Sequence, residues 1–409
     1  MQKSVMLPRQ IIYSMRYFRP WLNPEEGAED RFRTSMSAYL SGTHVVPLGR
    51  ARSGLYLLAK TAIVGNRRRV IMSPYTIPDV VNMVKLAGGE PVFVDFLPNS
   101  TNVDLSQLES LIDARTACVM LTHYHVSQNH LSEIIELCRS AGVKLFDDCA
   151  VSLGASIRGA RLGTLTDGSM FSFSGFKILN YLWGGIVAIQ DEQSFDKINA
   201  EVAQWKRLGI AQHRKQAFKI WRYALATSPL LFPVVFGLRR ALLSTQKIED
   251  ILPLSRLETV SLDQTITSRP SLAALEEWNR KLDDIENIIQ HRRSIAAIYD
   301  NYFRAISVSA ESSDEVRKGS GFVNYPIVVP PERRDQLYHD ILSRGFDVGA
   351  SLYPNVHETE SYTSIEGRTT NVSSLVRSVL TLPTHIRVTP EYANELASGV
   401  QKAMGRNSG

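Results

Sequence analysis

Apolar segments with two different spacings alternate along residues 50–190. Short apolar runs typical of buried strands occur at 69–73, 91–95, 117–124, 143–148, 169–174 and 184–190. Segments with helical spacing occur at 53–64, 76–89, 103–113 and 131–142. Strands that alternate with helices predict a mostly parallel sheet covered by helices on both faces. Ligands of such sheets bind beyond the carboxyl ends of the strands.

A different pattern follows toward the C-terminus. Residues 270–303 predict one long amphipathic helix, 321–329 a strand, 332–346 a helix, and 378–405 end in a further helix. We expect three units: an N-terminal arm (1–47), a large domain (48–265) and a small C-terminal α+β domain (266–409).

Residues 191–265 are less regular and predict an atypical helical insert within the large domain. Basic residues alternate with aromatic ones over 205–223, and an apolar stretch follows at 224–243. One interpretation is a helix packed on the domain or on a second subunit. The other is a basic, amphipathic membrane-surface element over 205–243. Pro229 and Pro233 exclude a spanning helix here.

Composition narrows the class of protein. The net charge of +5 and the hydrophobic content of 44% are typical of a soluble globular protein. The chain has no arginine-rich tail and no zinc-ligand spacing, so we expect neither a nucleic-acid partner nor a metal site. Its three cysteines lie in apolar segments and are expected to be reduced, as in the cytoplasm.

The candidate chemistry centres on a lysine and an aspartate that each follow a predicted strand. Lys177 lies in FSFSGFKILNYLWGG (171–185), and Asp147 and Asp148 end KLFDD. Each alone has a simpler interpretation, as a surface lysine or as a helix-capping aspartate. Together they suit pyridoxal 5′-phosphate, whose aldehyde needs an amine and whose pyridine nitrogen needs a carboxylate.

Small polar residues near these positions are candidates for a phosphate site. Ser53 and Gly54 open a predicted helix, where backbone amides bind anions, although Ser53 alone also fits a plain N-cap. Ser172 adds a hydroxyl close to Lys177. His123 ends a strand and either covers a cofactor ring or is a buried core histidine.

Several segments in order resemble the DegT/StrS-type sugar aminotransferase family. They are SGL, SPYTI, PVFVD, LTHYH, DDCA, LGTLTDGSMFSFSGFK and GG, and a weaker match continues through 292–299, 342–354 and 380–389. The family is pyridoxal-phosphate-dependent and has the aspartate-aminotransferase fold. The resemblance therefore implies an α/β protein of fold type I, with a mostly parallel sheet flanked by helices and a smaller α+β C-terminal domain.

The resemblance also implies roles for individual residues. Lys177 would form the Schiff base with the cofactor and carry the proton, and Asp148 would hold the pyridine nitrogen. The other implied cofactor contacts are Ser172, Ser53 and Gly54 at the phosphate, and His123 or Tyr75 at the ring. The chain departs from the family at Leu55, Ile77 and Val151, where threonine, an aromatic residue and glutamine are usual. The family's asparagine loop, which reaches into the partner's site, is not recognisable.

The implied activity is transfer of an amino group, from a donor such as glutamate, to a keto group of a nucleotide-linked sugar. Such enzymes serve surface polysaccharide, lipopolysaccharide or antibiotic-sugar biosynthesis. The resemblance implies a homodimer. The cysteines predict a cytoplasmic location, and the basic segment 205–243 would allow peripheral contact with the inner face of the membrane. The retained Lys177 favours transamination over sugar dehydration. Three alternatives stay open: an enzyme of the same fold with a non-sugar substrate, a non-catalytic, regulatory relative, and a membrane-surface interaction protein.

Overall fold

The computed structural model shows a large α/β unit followed by a smaller α+β unit. It describes residues 19, 21–124, 128–175, 177–181, 183–226, 228, 230–231, 233–235, 237–238, 261–262, 266–346, 348–350 and 353–405. Parts of the predicted N-terminal arm and of the predicted insert, including 239–260, lie outside the described residues.

Seven helices and ten strands are described in the first unit. The helices are α1 (Ala28–Tyr39), α2 (Arg52–Ala62), α3 (Pro78–Leu86), α4 (Leu105–Leu111), α5 (Leu131–Ser140), α6 (Glu192–Ala203) and α7 (Ile210–Ala226). The strands are β1 (His44–Leu48), β2 (Arg69–Met72), β3 (Glu90–Phe93), β4 (Thr116–Thr122), β5 (Lys144–Asp148), β6 (Ser156–Ile157), β7 (Ala160–Arg161), β8 (Gly168–Ser172), β9 (Gly185–Ile189) and β10 (Lys206–Arg207).

Seven of these strands form one twisted sheet in the order β1-β9-β8-β5-β4-β2-β3. Strand β9 is antiparallel to both of its neighbours, and the other strands all run in one direction. The mostly parallel sheet predicted from the sequence is thereby confirmed. Strand β1, whose residues 44–47 fall in the predicted arm, is an edge strand of this sheet.

Alternating side chains of the central strands enter two separate apolar cores. Val119, Leu121 and Leu145 belong to one core, while Met120 and Phe146 belong to the other. This alternation is what a sheet covered by helices on both faces requires, since successive side chains point to opposite faces. It also decides which strand-end residues reach the same side of the sheet.

The second unit packs helices against a two-stranded antiparallel sheet. The chain reaches it through α8 (Leu272–Leu282), which packs on α1 and α7 of the first unit. The helices that follow are α9 (Ile285–Phe303), α10 (Asp314–Gly319), α11 (Pro331–Ser343), α12 (Thr370–Ser378) and α13 (Pro390–Gly405). Strands β12 (Asn324–Val328) and β13 (Val379–Pro383) pair with each other, and the short β11 (Ser268–Arg269) pairs with β10. A separate apolar core joins α9, α11, α13 and the two paired strands.

The single long helix predicted over 270–303 is wrong, because the chain forms α8 and α9 with a break between them. Asp283 and Asp284 lie at the break, and Asp284 has non-helical dihedral angles (φ −97°, ψ 2°). Aspartate has a low helix propensity in helix interiors. Two of them in succession allow the chain to turn between the two units. The domain boundaries given above stay predictions.

Candidate active site

A cleft of about 170 Å³ opens beyond the carboxyl ends of β4, β5 and β8, where the sequence predicted a ligand site. Its lining includes Asp148, Ser172, Lys177 and, from the second unit, Tyr353. Asp148 and Ser172 reach it from the sheet face on which α2 packs, the face that also carries Met120 and Met170. The structure thus brings the predicted lysine and aspartate into one cleft.

Asp148 is a buried carboxyl group at the end of β5. One of its oxygens accepts a hydrogen bond from the Ala150 backbone N–H at 2.9 Å, which fixes its orientation. Burial raises the pKa of Asp148, while the positive charge of Lys177 opposes that rise. A buried carboxylate in this state gains stability from any cation that the cleft admits.

Lys177 follows β8 after a turn in which its backbone N–H donates to the Ser174 carbonyl oxygen at 3.0 Å. Its Nζ donates to the Tyr353 hydroxyl, also at 3.0 Å. Tyr353 lies 176 residues further along the chain. Both units of the fold therefore define the position of the lysine amine.

The opposite wall of the cleft is suited to an anion. Arg50, Ala51 and Arg52 line the cleft at the start of α2, whose later turns pack on β8 and β9. Helix N-termini and arginine guanidinium groups both favour phosphate. Ser172 and Ser174 add hydroxyl groups to the lining. Arg52 also forms an ion pair with Asp79 of α3, which anchors it at this wall.

Ser53 and Gly54 lie in the first turn of α2 but do not line the cleft. The Ser53 hydroxyl donates to the Ile266 carbonyl oxygen at 2.5 Å. A Cβ on Gly54 would lie 2.8 Å from side-chain atoms of Met170 and Val187. Gly54 therefore allows α2 to pack closely on the sheet. Its backbone N–H donates to the Ala51 carbonyl oxygen at 2.8 Å, so neither the Gly54 amide nor the Ser53 hydroxyl is directed at the cleft.

The His123 side chain lies on the opposite face of the sheet from the cleft. Pairing of β4 with β5 places Leu121 beside Asp147 and Thr122 beside Asp148. His123, one residue past the strand, follows Leu121 in the alternation, and its Nε2 lies 3.1 Å from an oxygen of Asp147. The buried His123, Asp147 and Cys149 side chains cluster there. The structure thus favours a buried core histidine over a ring contact.

Tyr75 is also buried behind the cleft instead of lining it. Its ring packs against those of Tyr124 and Tyr353, with centroid distances of 5.0 and 5.6 Å. Tyr124 and Tyr353 do line the cleft, and Tyr124 donates a hydrogen bond to the Tyr75 carbonyl oxygen at 2.7 Å. Tyr75 supports these two aromatic side chains, which the sequence reasoning missed.

The three departures from the family pattern all line the cleft. Leu55, Ile77 and Val151 place aliphatic side chains where the family has polar or aromatic ones. Trp183 adds a further apolar wall, with the Arg50 guanidinium 4.3 Å above its ring. The cleft is consequently more apolar around its ionised groups than the family pattern implies.

The loop that follows Lys177 is fixed by buried polar contacts. Lys281 of α8 donates to the Asn180 carbonyl oxygen at 2.7 Å, and burial lowers the pKa of Lys281 to about 7. The Tyr181 hydroxyl lies 2.8 Å from Nδ1 of His213 on α7. His213 Nε2 lies 3.2 Å from the Arg19 carbonyl oxygen and donates a hydrogen bond to it. Nδ1 of the neutral ring is therefore the acceptor for the Tyr181 hydroxyl. Helix α7, which lies in the predicted insert, therefore supports the loop that follows Lys177, called the lysine loop below.

We expect Tyr181→Phe to lower the free energy of unfolding by about 1–3 kcal/mol, because it leaves a buried ring nitrogen of His213 without its donor. Urea unfolding of the two proteins measures the difference. Tyr302→Phe is the matched control, since the Tyr302 hydroxyl donates to Asn394 at an exposed site. Equal losses in the two variants would show that the Tyr181–His213 contact contributes nothing particular.

The donor set of the cleft fits pyridoxal 5′-phosphate. A buried carboxylate for the pyridine nitrogen, a lysine amine for the aldehyde, and a helix N-terminus with two arginines for the phosphate line a single cleft. With the mostly parallel sheet and the small second unit, these features define a protein of the pyridoxal-phosphate-dependent fold type I class.

The chain belongs to the DegT/DnrJ/EryC1/StrS aminotransferase family, whose family model matches residues 21–226 and 273–401. The matched ranges contain both Asp148 and Lys177. The first range also includes residues 191–226 of the segment predicted as an atypical insert, so α6 and α7 belong to the matched part and that prediction is wrong for them; the family model leaves 227–272 unmatched. The resemblance proposed from the sequence is therefore confirmed, and pyridoxal 5′-phosphate is the cofactor that the family assignment supports.

Relatives and solved structures agree with this assignment. The chain is 25% identical to dTDP-4-dehydro-2,3,6-trideoxy-D-glucose 4-aminotransferase of Saccharopolyspora spinosa, over 88% of this chain and 84% of that protein. It is 29% identical to GDP-perosamine synthase of Caulobacter vibrioides, over 46% and 50%. A DegT DnrJ EryC1 StrS aminotransferase from Brucella abortus has the same fold, with a TM-score of 0.72, 18% identity, and coverage of 94% and 92%.

The matches to the first curated relatives are partial. This chain spans about half of the length of those relatives, between 43% and 50%.

Among the residues that the structure describes, no helix is both long and apolar enough to cross a membrane.

Proposed function

We propose that the protein is a pyridoxal-phosphate-dependent aminotransferase that acts on a keto group of a nucleotide-linked sugar. The observation that carries this proposal is the presence of Lys177 and Asp148 in one cleft, beside an anion-binding helix start. Two relatives are named for dTDP-linked and GDP-linked sugars, which supports a nucleotide-linked acceptor. Surface polysaccharide, lipopolysaccharide and antibiotic-sugar biosynthesis are the proposed settings.

Lys177 is the proposed catalytic residue, and its task is proton transfer. Its Nζ would hold the aldehyde group of the cofactor. During the reaction the Lys177 amine would take the proton from the donor's α-carbon as a general base and return it to a different carbon. When bound, the cofactor supplies an electron sink for the negative charge that forms at the substrate carbon.

The other cleft residues would orient and polarise the cofactor. Asp148 would keep the pyridine nitrogen protonated, which is what makes the ring an effective electron sink. Arg50, Arg52 and the start of α2 would hold the phosphate with Ser172, and Tyr124 would pack beside the ring. The aliphatic side chains of Leu55, Ile77 and Val151 line the cleft beside Asp148 and Lys177, and such apolar surroundings strengthen electrostatic interactions.

We place the enzyme in the cytoplasm as a homodimer, with glutamate as a proposed amino donor. Cys118, Cys138 and Cys149 are all free and buried, a state that suits a reducing compartment. The homodimer rests on the family assignment alone.

A substrate screen tests the proposed acceptor. The protein is incubated with ¹⁵N-glutamate and either nucleotide-linked 4-keto sugars or simple 2-keto acids, and mass spectrometry follows the label. We expect ¹⁵N to appear in the sugar, with a kcat/KM well above that for any keto acid. Transfer to keto acids alone would contradict a sugar acceptor but retain the aminotransferase, and no transfer at all would contradict the activity.

Tyr353 is a proposed positioning residue for Lys177, and Tyr353→Phe tests it. We expect kcat to fall by about tenfold with little change in KM for the donor, since a hydrogen bond to a charged group contributes about 1.5–3 kcal/mol. A fall in kcat without a matching rise in KM is the result expected of a residue that positions the Lys177 amine. An unchanged kcat, or a loss confined to KM, would mean that Tyr353 has only a packing role.

A further inference from the structure

The surface of α7 and the residues that follow it exposes an unusual concentration of large apolar side chains. Among the large apolar side chains that are exposed in the described part of the chain, nine of fourteen lie within 210–238. They include Phe218, Leu225 and Leu230, which are 56%, 61% and 88% exposed. We call this surface, formed by the exposed side chains among the described residues of 210–238, the insert patch. A concentration of exposed large apolar side chains in one short segment points to an interaction site.

The part of the insert patch within Ile210–Ala226 lies on the outer face of α7. The inner face buries His213, Gln216, Ala217, Ile220 and Ala224 and packs on α8. The outer face is therefore fixed in orientation by the rest of the fold.

Basic side chains surround the apolar ones on this outer face. Arg214, Phe218, Arg222 and Leu225 follow one another at spacings of four, four and three residues, so they form one stripe along α7. Arg214, Lys215, Lys219 and Arg222 are all exposed. An exposed stripe of arginine and aromatic or aliphatic residues is typical of helices that lie in a membrane interface.

The charged residues of 202–248, the segment that contains the insert patch, are all basic. Residues 202–248 contain nine lysines and arginines and no aspartate or glutamate. Acidic residues are otherwise abundant, at 41 in the chain. The segment is therefore basic far beyond the average of the protein, whose net charge is only +5.

We propose that the insert patch binds an anionic lipid surface, with α7 parallel to the membrane plane. Its arginines and lysines would meet acidic headgroups, and Phe218 and Leu225 would enter the boundary with the acyl chains. A second copy of this chain fits less well, because a two-fold interface would bring the same basic patch against itself. Nucleic acid offers the charge but no surface for the exposed leucines and valines.

Membrane binding through this patch would place the cleft close to the lipid surface. Lys219 of α7 lies 5.6 Å from the ring centroid of Trp183, and Trp183 lines the cleft. His213 of the same helix contacts Tyr181 on the lysine loop. The patch and the cleft are thus joined by direct contacts.

Vesicle binding of the purified full-length protein tests this proposal without reference to catalysis. The protein is sedimented with vesicles of phosphatidylcholine alone or with 30 mol% phosphatidylglycerol. We expect binding only to the anionic vesicles, weakened at high salt because exposed charges are screened. Arg214→Glu with Lys215→Glu should lower the partition coefficient by at least about tenfold, since each basic residue near such a surface contributes about 1 kcal/mol.

Two control pairs distinguish an effect of the insert patch on vesicle binding from an effect of net charge or of exposed apolar residues elsewhere. Lys318→Glu with Lys402→Glu changes the net charge equally at exposed sites in the second unit and should leave most of the binding intact. Phe218→Ser with Leu225→Ser should weaken binding, whereas Val64→Ser, at another exposed apolar residue, should not. The proposal would be overturned if the protein did not bind anionic vesicles, or if both charge-reversal pairs lost binding equally. Dissociation of a dimer on Arg214→Glu would also overturn it, because the patch would then contact a second copy of the chain.

Discussion

Replacement of Lys177 by alanine is expected to abolish the visible absorption of the bound cofactor and to lower kcat by at least about 10³-fold, because the variant loses both the covalent attachment and the general base. Loss of general acid–base catalysis alone costs about 10²–10⁴-fold. Spectroscopy of the purified variant and a single-turnover assay with glutamate measure the two effects separately.

An exposed lysine provides the matched control. Lys402→Ala on α13 removes an amine from the surface of the second unit and should change neither the spectrum nor the turnover. Lys177→Ala should also keep the wild-type circular dichroism spectrum, since Lys177 is a cleft residue. Full turnover by Lys177→Ala would contradict the proposed catalytic role.

Replacement of Asp148 by asparagine is expected to weaken cofactor binding by about 10- to 100-fold, as hydrogen bonds to charged groups contribute about 1.5–3 kcal/mol. Turnover should fall as well, because a neutral amide does not keep the pyridine nitrogen protonated. Titration of the cofactor-free protein, followed by fluorescence, measures the affinity.

Whereas Asp148→Asn weakens cofactor binding, it should not lower the folding stability of the cofactor-free protein. Burial raises the pKa of Asp148 above 3.8, so the native state binds this proton more tightly than the unfolded state does. Its contribution to the free energy of unfolding therefore falls as the pH rises through the interval between the two pKa values. At neutral pH the cofactor-free Asp148→Asn protein should be at least as stable as the cofactor-free wild type.

The neighbouring Asp147 gives a matched control within the same strand. Asp147 points to the opposite face of the sheet, toward His123, so Asp147→Asn should affect folding stability more than cofactor affinity. If both substitutions weaken cofactor binding equally, Asp148 has no special contact with the ring.

The large unit was predictable because its strands and helices differ clearly in periodicity. Runs such as RVIMS and PVFVD each contain at least three consecutive apolar residues and lie between segments with helical spacing, and they form β2 and the edge strand β3 of the sheet. The break between α8 and α9 was not predicted, because the helical pattern continues across Asp283 and Asp284 and only the packing of two units favours a turn there.

The site was predictable where strand alternation was applied, and not elsewhere. Asp148 ends β5 on the cleft face, as expected. His123 was a candidate because of its strand-end position and the family pattern, but the pairing of β4 with β5 assigns the cleft face to Thr122 instead. Tyr124 could have been found by the same reasoning.

Contacts between segments far apart in the chain could not be predicted from local sequence patterns. Tyr353 reaches Lys177 from the second unit, and His213 reaches Tyr181 from α7. The sequence encodes these contacts only through the tertiary packing of α7, α8 and the sheet. Their side chains are ordinary in their own segments, where nothing distinguishes them from other tyrosines and histidines.

Borohydride reduction of the purified protein, followed by peptide mapping, tests the central claim most directly. We expect the visible absorption of the bound cofactor to disappear on reduction and a pyridoxyl group to be recovered on the peptide that contains Lys177. A protein without a reducible chromophore after incubation with pyridoxal 5′-phosphate, or a pyridoxyl group on any other lysine, would contradict the account.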